Sequence, residues 1–144
     1  GNKPYTLEVI ETPADSFDTD GGVDIDEALE IEKEIEYRGV VDSHVAANDV
    51  FAIKLNKGEE IRIRFIDEGK DSRNTWLNLL CPESTSIKSN DLHTILERDS
   101  SGTGQSRSLD AQITYEPEAT GIYFIWVEGD RGNTPYILDV IKTP

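Results

Sequence analysis

The chain has 144 residues, with 29 acidic against 14 basic side chains, one cysteine and no methionine. That length suits a single domain with one core, and the net charge of −15 argues against nucleic acid or an anionic membrane as a partner held by bulk electrostatics. No apolar run approaches the ~18 residues of a bilayer span, and a lone Cys81 cannot close an internal disulfide.

Taken in chain order, the first feature is Pro4-Tyr-Thr-Leu-Glu-Val-Ile-Glu-Thr-Pro13, which alternates like a strand. It returns at the other end as Pro135-Tyr-Ile-Leu-Asp-Val-Ile-Lys-Thr-Pro144, seven of ten positions identical at an offset of 131. A repeat separated by nearly the whole chain suggests a tandem array with that period. Residues 1–13 are then the terminal strand and linker of a preceding repeat, and residues 14–144 are one β-sandwich domain. The chain also opens Gly1-Asn2-Lys3 without an initiator methionine, and reads as a fragment of a larger protein. A duplicated strand needs a place of its own, which an edge pairing, a strand-swapped self-association or a disordered N-terminus would each satisfy.

An acidic block follows. Residues 8–36 hold twelve acidic side chains and one basic one, Lys33, for a local charge of −11; residues 37–144 carry only −5. Within the block, Asp15-Ser-Phe-Asp-Thr-Asp-Gly-Gly-Val-Asp-Ile-Asp-Glu27 offers the carboxylates and glycines that calcium sites use. Aligned as an EF-hand loop, it starts on Ser16, a poor first ligand, and Pro13 leaves no preceding helix. An EF-hand is therefore set aside. A looser calcium site and a solvated acidic linker kept extended by self-repulsion both remain open.

Asp26 to Ile31 suits a single helical turn, and nothing supports a long helix. From residue 34 onward the apolar period is two. Strands are expected near 35–41, 49–55, 60–65, 75–81, 108–115, 121–128 and 134–142. Phe51, Ile53 and Leu55 share one face, as do Ile61, Ile63 and Phe65, and Asn56-Lys57-Gly58 between them reads as the turn of a hairpin. Residues 84–106 are polar and serine-rich, without a readable period. Many short strands with Gly, Pro and Asp turns point to an all-β fold, an antiparallel β-sandwich of jelly-roll type.

Catalysis finds no support. His44 and His93 are the only histidines, no Gly-x-Ser-x-Gly elbow occurs, and two histidines without a cysteine pair make no zinc framework. Each histidine reads as a surface residue, and Cys81 as a small buried hydrophobe. Trp76, Trp126, Tyr123 and Tyr136 read as core aromatics, with a sugar- or peptide-binding face as the alternative.

Several pieces together resemble the bacterial and archaeal pre-peptidase C-terminal domain. These are the acidic Gly/Asp segment leading into Asp26–Ile31, then Tyr37-Arg-Gly-Val-Val41, and Asn48-Asp49 opening the strand to Leu55. Asn56-Lys-Gly-Glu-Glu-Ile-Arg-Ile-Arg-Phe65, Thr120-Gly-Ile-Tyr-Phe-Ile-Trp-Val127 and Pro135-Tyr-Ile-Leu-Asp-Val140 complete the pattern. The resemblance covers about residues 15–142 and departs from the family pattern at Asn74–Leu80. It implies a jelly-roll sandwich that is not itself catalytic and sits behind a secreted peptidase or within a cell-surface protein, hence an extracellular or cell-surface location. The partner it implies is the parent peptidase or surface protein in cis, with an extracellular polymer bound by exposed aromatics as the alternative. Some members, clostridial collagen-binding domains among them, bind calcium between the acidic segment and a strand start. By that resemblance the ligands here are Asp15, Asp18, Asp20, Asp24, Asp26, Glu27 and Asp49, although Ala46 stands where those domains place a further aspartate.

Overall fold

The computed structural model describes residues 23–42, 48–68, 75–101, 110–129 and 133–143. Among them are nine strands: β1 (Leu29–Glu30), β2 (Tyr37–Asp42), β3 (Asn48–Leu55), β4 (Ile61–Asp67), β5 (Thr75–Leu80), β6 (Ile95–Ser101), β7 (Asp110–Tyr115), β8 (Gly121–Gly129) and β9 (Asn133–Lys142). They form two sheets, one in the order β1-β3-β8-β5-β6 and the other β2-β9-β4-β7. Every pairing is antiparallel except β1 with β3. The expected all-β sandwich is what the chain forms, and residues 26–31 supply a 3-10 turn at Ile25–Glu27 followed by β1.

The expected hairpin between β3 and β4 does not form. β3 pairs with β1 and β8, whereas β4 pairs with β7 and β9 in the opposite sheet. The chain changes sheet at every strand-to-strand connection except β5 to β6. Period-two alternation specifies which face of a strand is buried and leaves its hydrogen-bonding neighbour open. Phe51, Ile53 and Leu55 thus face Ile61, Ile63 and Phe65 across the core instead of lying beside them. The second surprise is β6, an edge strand whose Ile95-Leu-Glu-Arg-Asp-Ser-Ser101 is too polar to show a period.

Among the described residues, nineteen that are buried make the main core between the sheets, with Leu55, Ile61, Ile63, Phe65, Leu77, Leu79, Ile125, Leu138 and Val140 all at zero exposure. β9 runs through the middle of its sheet between β2 and β4. Its Tyr136 stacks on Phe65 with ring centroids 5.0 Å apart, and the Tyr136 hydroxyl crosses to the other sheet to donate to Asp49 Oδ2 at 2.6 Å. On the outer face Arg64 grips Asp139 with two bonds, Nε to Oδ1 at 2.9 Å and Nη2 to Oδ2 at 2.7 Å. Glu34, between β1 and β2, also holds β9 twice: its amide donates to the Val140 carbonyl, and its side-chain Oε2 accepts from the Lys142 amide.

The arch from β3 to β4 turns on Gly58, at φ +80°. Its amide donates to the Pro117 carbonyl, and the Lys57 amide donates to Thr120 Oγ1, so the arch is tied to the β7–β8 connection. A Cβ on Gly58 would meet nothing within 4 Å. Gly58→Ala therefore isolates the cost of left-handed backbone, and is expected to lower stability by about 1–2 kcal/mol. Urea unfolding with an unchanged m-value checks this, and an alanine variant as stable as the parent would show that the arch does not need that conformation.

Candidate functional site

Outward-pointing residues of a sandwich strand are ordinarily polar. On the β3-β8-β5 sheet they are not: Val50 and Leu80 have zero exposure and Trp126 only 9%. With Ile87 they form a second apolar cluster, joined by Ile25, Ala28 and Phe124. The segment between β5 and β6 and the 3-10 turn at Ile25–Glu27 thus cover the outside of this sheet. His93 lies edge-on to Trp126 at 5.4 Å, and the Trp126 indole N–H donates to Asn48 Oδ1 at 2.9 Å. Asn78, fully buried beneath the cover, donates through Nδ2 to the Trp126 carbonyl.

Asp24 latches the two covering pieces together. Its Oδ1 accepts from the Ile25 amide at 2.7 Å and the Ile87 amide at 2.8 Å, while Oδ2 accepts from Ser86 Oγ at 2.8 Å and faces Lys88 Nζ at 3.8 Å. Burial by itself would raise the Asp24 carboxyl. The Ile87 amide, the Ser86 hydroxyl, the Ile25 amide and the Lys88 charge together outweigh it, and the group sits below its ordinary value. Asp24 is also the N-cap of the 3-10 turn, in an Asp24-x-x-Glu27 spacing. That capping pattern was the sequence signal for this role, and the acidic surroundings masked it.

Asp49, the second residue of β3, is 3% exposed and held by the Tyr136 hydroxyl. Asp26 and Glu27 are exposed on the 3-10 turn. Asp15, Asp18 and Asp20 lie outside the described residues, as do His44, Ala46 and the first copy of the repeated strand. Among the described residues no group of three or more His, Cys, Asp or Glu side chains is gathered to hold a metal ion. The structure therefore presents two separately anchored carboxylates, Asp24 and Asp49. The 3-10 turn that follows Asp24 packs against β3, the strand that carries Asp49.

The remaining candidates fall into structural roles. His93 Nδ1 lies 2.9 Å from the Ser86 carbonyl, which fixes the proton on Nδ1 for a neutral ring. Cys81 is half-buried with its sulfur 3.4 Å from Ser84 Oγ, beside a shallow cleft of about 230 Å³. Trp126, Tyr123 and Tyr136 are buried, the Tyr123 hydroxyl donating to the Ala119 carbonyl. Trp76 alone of the four aromatics is half-exposed, and Arg98 lies over its ring at 4.0 Å.

Asp24→Asn keeps the shape and removes the charge that four donors converge on. It is expected to cost about 1–3 kcal/mol near neutral pH. Because the folded carboxyl titrates below the unfolded one, its contribution is full above the unfolded value, near pH 4, and is lost as pH falls through the folded one. The gap between parent and variant in urea midpoint should close on acidification; a gap independent of pH would show that the charge is not what the latch uses.

No family model matches the chain, and no curated protein matches it. Among solved structures it is similar to the pre-peptidase C-terminal domain of collagenase from Bacillus anthracis, at a TM-score of 0.58 and 21% identity over 79% of this chain and 94% of that one. It is more distantly similar to PliG of Aeromonas hydrophila, a periplasmic inhibitor of g-type lysozyme, at 0.45 and 13% over 81% and 97%. The β-sandwich described here is the fold of that pre-peptidase C-terminal domain.

Proposed function

We propose that this chain is a non-catalytic accessory module of a secreted peptidase or cell-surface protein, located outside the cell, stabilised by calcium and present as one copy of a tandem array. The observation that carries the proposal is the fold shared with a domain attached to a collagenase. The module's work is mechanical: a rigid sandwich spaces its parent and presents loops to what the parent acts on. An adhesive variant of this reading, in which exposed aromatics grip a polymer, would draw on Trp76, the half-exposed one of the four aromatics named above.

Calcium is supported by the chemistry of the donors. Asp49 is a hard oxygen ligand whose orientation is already fixed by Tyr136, so little ordering is left to do. The latch at Asp24 leads the acidic segment onto the sheet that Asp49 belongs to. Asp15, Asp18 and Asp20 would supply the remaining oxygens and Asp26 and Glu27 the rim. Bound calcium would relieve the repulsion among them and stabilise the fold by mass action.

Thermal unfolding in EDTA and then in millimolar CaCl₂ at fixed ionic strength tests this. A hundredfold excess over the dissociation constant gives about 2.7 kcal/mol, a rise of about 5–10 °C for a chain of this size. The rise should vanish when Asp18, Asp20 and Asp49 are replaced by Asn. A midpoint indifferent to calcium would leave the acidic segment as a linker. The array is tested separately: the parent reading frame should hold a related module ending on residues 4–13.

A further inference from the structure

The two copies of the repeated strand differ at three positions, and the structure of β9 says what those positions do. Inward, β9 places Tyr136, Leu138 and Val140 in the core, at 1%, 0% and 0% exposure. The first copy has Tyr5, Leu7 and Val9 there, identical at all three. Ile141 is matched by Ile10, and Thr143, which donates to the backbone and side chain of Glu60, is matched by Thr12. At Asp139, the partner of Arg64, the first copy carries Glu8, which keeps the carboxylate. The only losses are Ile137, replaced by Thr6 on the outer face, and Lys142, replaced by Glu11.

We infer that residues 4–13 are a second β9, competent to fill the slot between β2 and β4 of a second copy of this chain. This deepens the array reading and rests on it only for the origin of the strand. What the core and the outer clamp ask of the occupant is present in residues 5–9: a phenol for Asp49 and Phe65, two aliphatic side chains for the core, and an acid for Arg64. One copy offers one slot and carries two strands that fit it. The second of these strands can be seated where another copy's β9 is displaced, which makes exchange between copies a route to reciprocal, two-fold pairing.

Lys142 explains why each copy keeps its own β9 at rest. Its ammonium faces Glu59 Oε2 at 4.0 Å, and its amide is bound by Glu34. Glu11 in that place would bring a third carboxylate to the pair, so the first copy fits less well. The competition is set by that one charge and by the apolar Ile137, not by the core.

Variants of the 144-residue chain separate the strands. Leu138→Asp expels β9 from the core, and Leu7→Asp disables its duplicate. The parent and the L7D chain should both be folded monomers by light scattering. The L138D chain should stay folded by circular dichroism and tryptophan emission but double in mass by light scattering, and the L7D/L138D chain should unfold. A peptide of residues 4–13, added in excess to the double variant, should restore the fold, and the same peptide with Leu7→Asp should not. Restoration by the peptide with L138D itself unfolded would still support the fit in trans. If L138D unfolds and the peptide restores nothing, the inference fails. If L138D folds as a monomer, the strand fills its own slot and the assignment to a second copy fails, while the array is still decided by the parent sequence.

Discussion

The hydrogen bond from Tyr136 to Asp49 joins the two sheets through the core, and the fold is arranged around it. A buried carboxylate is costly unless its charge is met by donors, and the strand that supplies the phenol is the middle strand of the opposite sheet. β9 must therefore be seated before Asp49 can be buried. Its seating in turn fixes β2 and β4 on either side, and Arg64 and Glu34 clamp it from the outer face and from its end. Since nearly every connection crosses between sheets, no strand except β6 can pair with its predecessor. The long-range pairings must then close together, which makes the fold cooperative and its closure entropically expensive.

The cover over the β3-β8-β5 sheet is a different kind of structure. The apolar cluster beneath it is small: Val50, Leu80, Ile87 and Trp126 with partial help from Ile25, Ala28 and Phe124. What aligns the two covering pieces is a single carboxylate with donors from both. Asp24 takes the Ile25 amide from its own turn, and the Ile87 amide and Ser86 hydroxyl from the segment 62 residues further on. The last carboxylates of the acidic segment are thereby anchored to the sandwich, at Asp24 for hydrogen bonding and at Asp26 and Glu27 facing solvent.

Strand positions were legible because alternation is a local property. Phe51, Ile53 and Leu55, or Ile61, Ile63 and Phe65, announce a half-buried strand wherever the chain goes next. Pairing was not legible for the same reason: the turn at Asn56–Gly58 suits an arch between sheets as well as a hairpin within one. β6 was missed because an edge strand with Glu97, Arg98 and Asp99 in its centre has only one neighbour to satisfy. At the candidate site, composition marked the acidic segment but could not separate its members. Asp24, Asp26 and Asp49 are the same residue type, yet one is an N-cap latch, one lies in solvent and one is a buried tie between sheets. Only the donors around each carboxylate distinguish them.

Charge placement bears on the same question. The body of the molecule uses its cations in specific contacts, Lys33 with Glu59 at 2.6 Å, Arg64 with Asp139, Arg38 with Glu68 and Arg98 with Glu128. Lys33, the only cation in residues 8–36, is thus committed to the body. The acidic segment has Lys88 against Asp24, a cation at 3.8 Å on a side chain that is 79% exposed and well screened by solvent. Residues 8–36 carry a net charge of −11 within 29 residues, and their carboxylates repel one another. Extension relieves part of that repulsion, and an external cation relieves more of it wherever the carboxylates are drawn together. The anchor at Asp24 fixes where the acidic block joins the sandwich, and so ties the charge of the block to the fold that follows it.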